Sequence, residues 1–306
     1  MNDVTETLKF SKCSLIADDL KIYREVKTWT DCIALQRDLI ALNKWFASNG
    51  LELNVGKCVT MSFFRKRKAL RFAYGMAGSI LKRVTEIRDL GVTLTEDLSF
   101  NRHIDTIIAK AYSMLGLMKR VCKDFRNASA LKSVYFALVR SHLEYASVVW
   151  SPYYQNQSGK IESIQKKFLI YALRRPVRRD ENYRLPSYVS RCQSIQIESL
   201  SRRRFNLAAM FVFDVLSGRI DSPGLRSKFR VNRPIRIQRN VSYLVIESHR
   251  TNYGLFEPVN HMSRTFNMFS HFFSDSTTRF AFRLAVKSME LTEAALRRHG
   301  FIITTT

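Results

Sequence analysis

All six prolines of this 306-residue chain fall at or after Pro152. Proline fixes φ and removes a backbone donor, so the 151 residues before it can run as closely connected helices and strands. The first segment reads as a strand over Ser14 to Ala17, a tight turn at Asp18-Asp19 and a second strand over Leu20 to Tyr23. A helix is expected from about Asp31, capped by Thr30, with Ile33, Leu35, Leu39, Leu42, Trp45 and Phe46 on its apolar side and Gly50 ending it. Val59 to Phe64 and Leu70 to Tyr74 read as strands around the basic turn Arg65-Lys66-Arg67-Lys68, and Leu90 to Leu94 as a further short one. Alternating strand and helix over residues 1–95 makes this an α+β chain.

Helix then dominates. Ile104, Ile107, Ile108, Ala111, Leu115, Met118, Cys122 and Phe125 recur at three- and four-residue steps, the period of a helix burying one side. A second helix is expected over Ala128 to about His142. Ser151-Pro152-Tyr153-Tyr154 breaks it from a third, over about Ser158 to Ala172. Another, over about Ile195 to Leu216, carries Arg202-Arg203-Arg204; the end, from about Phe266 to Phe301, is aromatic and partly helical.

Charge narrows the function classes. The chain carries 50 Lys+Arg against 26 Asp+Glu, a net charge of +24. With 46% hydrophobic residues it can still bury a core, which excludes a basic disordered tail. Residues 151–306 hold 26 basic and 11 acidic residues, and 21 of the 26 are Arg, whose planar fork grips phosphate oxygens in pairs. Residues 174–239 alone carry 16 basic and 5 acidic residues. A polyanion, nucleic acid first, is the expected partner. The contacts are expected from Arg174, Arg175, Arg178, Arg179, Arg202, Arg203, Arg204, Arg230, Arg233 and Arg236. The five cysteines show no C-x-x-C pair and fit reduced thiols better than zinc or a disulfide framework. The N-terminus has no basic-then-apolar leader and no run approaches a membrane span, so an intracellular protein and no membrane partner are expected.

The sharpest local feature is Ile16-Ala17-Asp18-Asp19-Leu20. Within a strand two neighbouring carboxylates face opposite ways, but a hairpin tip can bring both toward one side. Such a pair suits Mg²⁺, which keeps several waters and takes one or two protein carboxylates beside substrate phosphates. Aspartate is also an ordinary turn residue, so the tetrapeptide alone leaves both readings open.

The chain as a whole resembles the reverse transcriptases of jockey-like non-LTR (LINE) retrotransposons. IADDLKIY is similar to their F/Y-A-D-D box, with Ile16 where an aromatic is usual, and Asn2-Asp3 to the stretch preceding it. WFASNGLELNVGKC, through Trp45, Asn49, Leu53, Asn54, Lys57 and Cys58, resembles the next block, and Asp89-Leu90-Gly91-Val92 the L-G-V block. Residues 138–154, 160–169 and 216–223 resemble later thumb-side and tail blocks. The resemblance implies half a polymerase palm (1–95), a helical thumb (96–175) and a basic, mostly helical C-terminal region (176–306). It implies an RNA-directed DNA polymerase with RNA template, DNA primer and dNTP as partners, acting in the nucleus by two-metal nucleotidyl transfer. Asp18 and Asp19 would hold Mg²⁺, and Lys57 would serve as general acid toward pyrophosphate. A motif A aspartate, motif B and the fingers have no counterpart here, so the chain is expected to bind nucleic acid without polymerising. The alternative expectation is a non-catalytic nucleic-acid-binding or interaction protein built from the same fragment.

Overall fold

The computed structural model describes residues 2–64, 70–174, 186–232, 242–274 and 276–289. They form two compact units, residues 1–102 and 103–306.

In the first unit, β1 (Lys12–Ile16) and β2 (Asp19–Tyr23) pair antiparallel, with Ile16 opposite Asp19. The turn is therefore Ala17-Asp18, one residue earlier than expected, and Ala17 takes the positive φ (+54°) that a two-residue hairpin turn demands. Helix α1 (Trp29–Ser48) also starts earlier than expected, because the Thr28 hydroxyl rather than Thr30 receives the Asp31 N–H. In return the Asp31 carboxylate accepts from the N–H groups of Lys27 and Thr28, each at 3.0 Å, and from Arg24. The Lys27 N–H and then Arg24 hold its carboxyl far below the usual carboxylate range. Gly50, at φ +65°, follows the helix as expected. Cys32, Leu39, Leu42 and Phe46 of α1 meet Leu15, Leu20 and Ile22 of the hairpin in one core. Buried Asp38 accepts the N–H groups of Lys9 and Phe10, both at 3.0 Å, and so ties the segment entering β1 to α1.

Three further pairs complete this unit: β3 (Val59–Thr60) with β6 (Lys82–Arg83) in parallel, β4 (Gly75–Met76) with β5 (Ser79–Ile80), and β7 (Glu86–Asp89) with β8 (Val92–Thr95). Only two residues of the expected 59–64 strand form one, and Leu70 to Tyr74 is not a strand. Phe72 and Tyr74 instead pack ring against ring (4.9 Å), with Trp29 beside Phe72 (6.0 Å). At Gly75, where β4 begins, the Gln36 amide bonds both the backbone N–H and the C=O, at 2.8 Å each. The basic turn 65–68 lies outside the described residues. The β7–β8 hairpin turns on Leu90 (φ +45°) and Gly91 (φ +85°), so the expected strand begins two residues later, at Val92.

The second unit is helical. Its elements are α2 (Asn101–Val121), α3 (Ala128–Tyr135), a π-helical turn (Phe136–Arg140), α4 (Ser141–Glu144), α5 (Ser147–Trp150), α6 (Gln155–Arg174), α7 (Tyr188–Ile195), α8 (Leu200–Leu216), α9 (Pro223–Arg226), α10 (Asn252–Leu255), α11 (Pro258–Asn267) and α12 (Arg279–Ser288). Ile104, Ile107, Ala111, Leu115 and Met118 are buried at the spacing the sequence displays. The expected 128–142 helix accommodates one π turn, where the Arg140 guanidinium lies 3.2 Å from the Phe136 ring centroid. The expected 195–216 helix is interrupted, because Gln196 is left-handed (φ +56°) and Ser199 caps a fresh start. Phe213 stacks on Phe282 at 4.7 Å beside Phe266 and Phe269, and Tyr135 stacks on Phe168 at 4.0 Å. Helix α8 packs on α5, α6, α11 and α12, so helices before and after residue 175 share one body.

His261 on α11 carries a pH prediction. Burial, then the charges of Arg264 and Arg204, pull its pKa down to about 4. Between that value and about 6.5 the unfolded chain binds a proton that the folded chain refuses. Stability should therefore fall as pH drops through this window, by up to about 3 kcal/mol. His261→Gln should flatten the fall, as read from denaturant midpoints between pH 7 and pH 4.

Candidate nucleic-acid interface and carboxylate hairpin

Asp18 occupies the hairpin turn and Asp19 opens β2; both are exposed. Strand alternation turns Leu20 and Ile22 to the core and puts Asp19, Lys21 and Tyr23 on the other face. Among the described residues no group of three His, Cys, Asp or Glu side chains is arranged to hold a metal ion. Two adjacent exposed carboxylates on a hairpin anchored by Leu15, Leu20 and Ile22 still match the small donor set that Mg²⁺ asks of a protein. They would supply two ligands to such an ion, and the rest would have to come from phosphates and water.

Lys57 is exposed at the end of a 3₁₀ turn (Val55–Lys57) in the loop after α1. Its own N–H bonds Asn54 O at 3.1 Å, and Cys58 Sγ reaches the same carbonyl at 3.4 Å. Leu53, Val55 and Cys58 pack against the core, and Trp45 Nε1 donates to Asp3 at 3.3 Å. Apart from Lys57, this block is a brace for the loop, and Lys57 is its outward-facing cation.

The arginine triplet is a correction. Arg202 donates to the carbonyls of Val286 and Met289 at 2.6 and 2.7 Å, closing the C-terminal end of α12. Arg203 grips Glu144 in fork fashion, with Nη2 to Oε2 at 2.9 Å, and has Glu198 3.6 Å away. Arg204 is buried and donates to Ser158 Oγ at 2.9 Å. Helix α8 is surrounded by neighbours, so the guanidiniums on three successive positions all bond to protein groups; Arg204 is buried, and Arg202 and Arg203 are half-buried. Arg230 pairs with the exposed carboxylate of Glu247. Arg174 ends α6, while Arg175, Arg178, Arg179, Arg233 and Arg236 lie outside the described residues.

A different basic surface emerges where α2 and α6 lie side by side, parallel. Asp105 meets Lys160 at 4.0 Å, the Tyr112 hydroxyl meets Ser163 at 2.8 Å, and the Tyr171 hydroxyl donates to Cys122 O at 3.1 Å. From Asp105 to Cys122 this seam runs about 25 Å at 1.5 Å per residue. Lys167 stands 4.4 Å from the Tyr112 ring centroid and Lys119 5.6 Å from that of Tyr171. Lys123, Lys160 and Lys167 are exposed. Residues 103–174 hold eleven Lys and Arg against four Asp and Glu, two of which, Glu144 and Glu162, are committed to internal bonds. Cations interleaved with tyrosine rings along a rod can follow a phosphate backbone and offer π faces to bases. The sequence signal was the stripe 105, 112, 119 at seven-residue spacing, whose meaning depended on finding its partner helix.

Two motif residues prove to be internal ties. Glu162 accepts from the N–H groups of Leu200 (3.0 Å) and Ser201 (3.1 Å), at the start of α8, and from the Tyr188 hydroxyl. Buried Gln165 receives the Tyr135 hydroxyl at 3.2 Å and donates to Tyr188 and to Glu198 O, each at 2.9 Å. Burial and then the Glu162 charge push the Tyr188 phenol well above its ordinary range.

Over 167 residues, 50% of this chain, the sequence is 29% identical to the RNA-directed DNA polymerase from mobile element jockey of Drosophila funebris. The chain is similar to part of that polymerase. The match covers 17% of that polymerase's length. No protein-family model and no solved structure matches the chain. The likeness bears out the resemblance to jockey-like reverse transcriptases. Among the described residues no helix is long and apolar enough to cross a membrane.

Proposed function

We propose that this chain is a nucleic-acid-holding part of an RNA-directed DNA polymerase of the jockey-like non-LTR type, acting in the nucleus on an RNA template with a DNA primer. The observation that carries this reading is the seam of α2 and α6, where Lys119, Lys123, Lys160 and Lys167 line a helix pair pinned by Tyr112 and Tyr171. Its length suits several successive phosphates, and its cations would displace counterions from them. The first unit contributes the carboxylate hairpin. Asp18 and Asp19 would hold Mg²⁺ against the phosphates of an incoming dNTP, where the ion neutralises developing charge. Lys57 would donate a proton toward the pyrophosphate leaving group.

With two carboxylates and no third ligand gathered among the described residues, the chain on its own would bind primed RNA without extending the primer. Primer extension on a primed RNA template with Mg²⁺ and dNTPs tests this, beside the Asp18→Ala/Asp19→Ala variant. Equal, salt-sensitive binding by both proteins with no extension by either is the expected result. Extension that disappears in the variant would mean that a complete metal site assembles in this chain.

A further inference from the structure

The carboxylate hairpin has a lysine of its own. Lys21 lies two residues beyond Asp19 on the same face of β2, about 7 Å along the strand and within reach of a lysine side chain. Left free, its ammonium would settle on Asp19 and compete with any cation there. It is held elsewhere: its Nζ forms an ion pair with the carboxylate of Asp89, the last residue of β7. Across the ladder Lys21 faces Ser14 and Asp19 faces Ile16, so neither strand neighbour offers a competing carboxylate. Both members of the pair sit in blocks through which the sequence resembles a polymerase, one in IADDLKIY and the other in the Asp89-Leu90-Gly91-Val92 turn.

We propose that Asp89 is a positioning residue that draws Lys21 away from Asp19, leaving the Asp18-Asp19 tip with its negative charge for a divalent cation. This rests on the reading of Asp18 and Asp19 as metal ligands. The side chains of Lys21 and Asp89 are 36% and 28% exposed, so their ion pair adds little to stability and its removal leaves the fold intact. Its consequence is where the lysine charge goes.

The probe is Mn²⁺, titrated into the full chain and followed by electron paramagnetic resonance of the free ion. The component lost in Asp18→Ala/Asp19→Ala defines binding at the hairpin. Asp89→Asn should weaken that component at least threefold by releasing Lys21 onto Asp19. Adding Lys21→Met to Asp89→Asn should restore it, because no lysine remains to compete; a merely structural role for Asp89 would give no such rescue. Unchanged binding in Asp89→Asn, or failure of the double variant to recover, would overturn the proposal. A wild-type chain indistinguishable from Asp18→Ala/Asp19→Ala would instead remove the metal reading itself, and this inference with it.

Discussion

Glu162→Ala should unfold the second unit roughly 10 °C below the wild-type chain, the largest stability loss expected of any single substitution considered. The carboxylate is buried and accepts two backbone N–H groups at the head of α8 together with the Tyr188 hydroxyl. Its charge also lies at the positive end of the α8 dipole. Alanine leaves those donors inside without partners and deprives α8 of its anchor to α6. Bonds to a charged acceptor are worth about 1.5–3 kcal/mol each, and stranded buried donors add to the loss, giving about 3–5 kcal/mol in total. In a unit of about 200 residues each kcal/mol moves the midpoint by about 2–4 °C. Glu162→Gln keeps one carbonyl acceptor and should lose about half as much. Thermal unfolding followed by far-ultraviolet circular dichroism checks both, and an Ala variant melting with the wild type would show that Glu162 is not the tie described.

The second large effect concerns binding. Replacing Lys123, Lys160 and Lys167 together with alanine should weaken binding to duplex nucleic acid by about two to three orders of magnitude at 0.1 M salt. Each phosphate contact contributes about 0.9 to the slope of log affinity against log salt, so three lost contacts should flatten that slope by about 2.7. All three side chains are exposed, and the hydroxyl bonds of Tyr112 and Tyr171 that pin the seam do not involve them. The variant gives up the exposed Lys160–Asp105 ion pair and the Lys167 contact with the Tyr112 ring, each worth at most about 1 kcal/mol, so its melting temperature should fall by only a few degrees. Binding measured by fluorescence anisotropy at four salt concentrations separates a lost charge, which changes the slope, from a damaged fold, which lowers the melting temperature further.

What could be read from the sequence was what local chemistry decides. The apolar stripe from Ile104 to Met118 forecast α2, Pro152 marked the break before α6, and two β-prone runs around an Asp pair forecast the hairpin to within one residue. Errors arose where a distant partner decides. The residues before Gly75 read as a strand, but a helix side chain, Gln36, supplies the hydrogen bonds at Gly75, 39 positions away. Arg202-Arg203-Arg204 looked like a phosphate grip because acids are sparse nearby. Their acceptors, Glu144, Val286 and Met289, stand 59, 84 and 87 positions off, and only packing brings them close. The same reason hid the seam, since a Tyr112 or a Lys167 is unremarkable until the parallel helix is placed beside it. Glu162 and Gln165 were visible as motif residues, yet their role as ties between α6, α7 and α8 depended on geometry.

The most direct test of where nucleic acid lies is photocross-linking. RNA carrying 4-thiouridine would be irradiated on the full chain and the modified peptides mapped by mass spectrometry. Cross-links on α2 and α6, in the peptides that contain Tyr112 and Tyr171, are the expected result. Cross-links on α8 around Arg202-Arg203-Arg204, with none on α2 or α6, would contradict it.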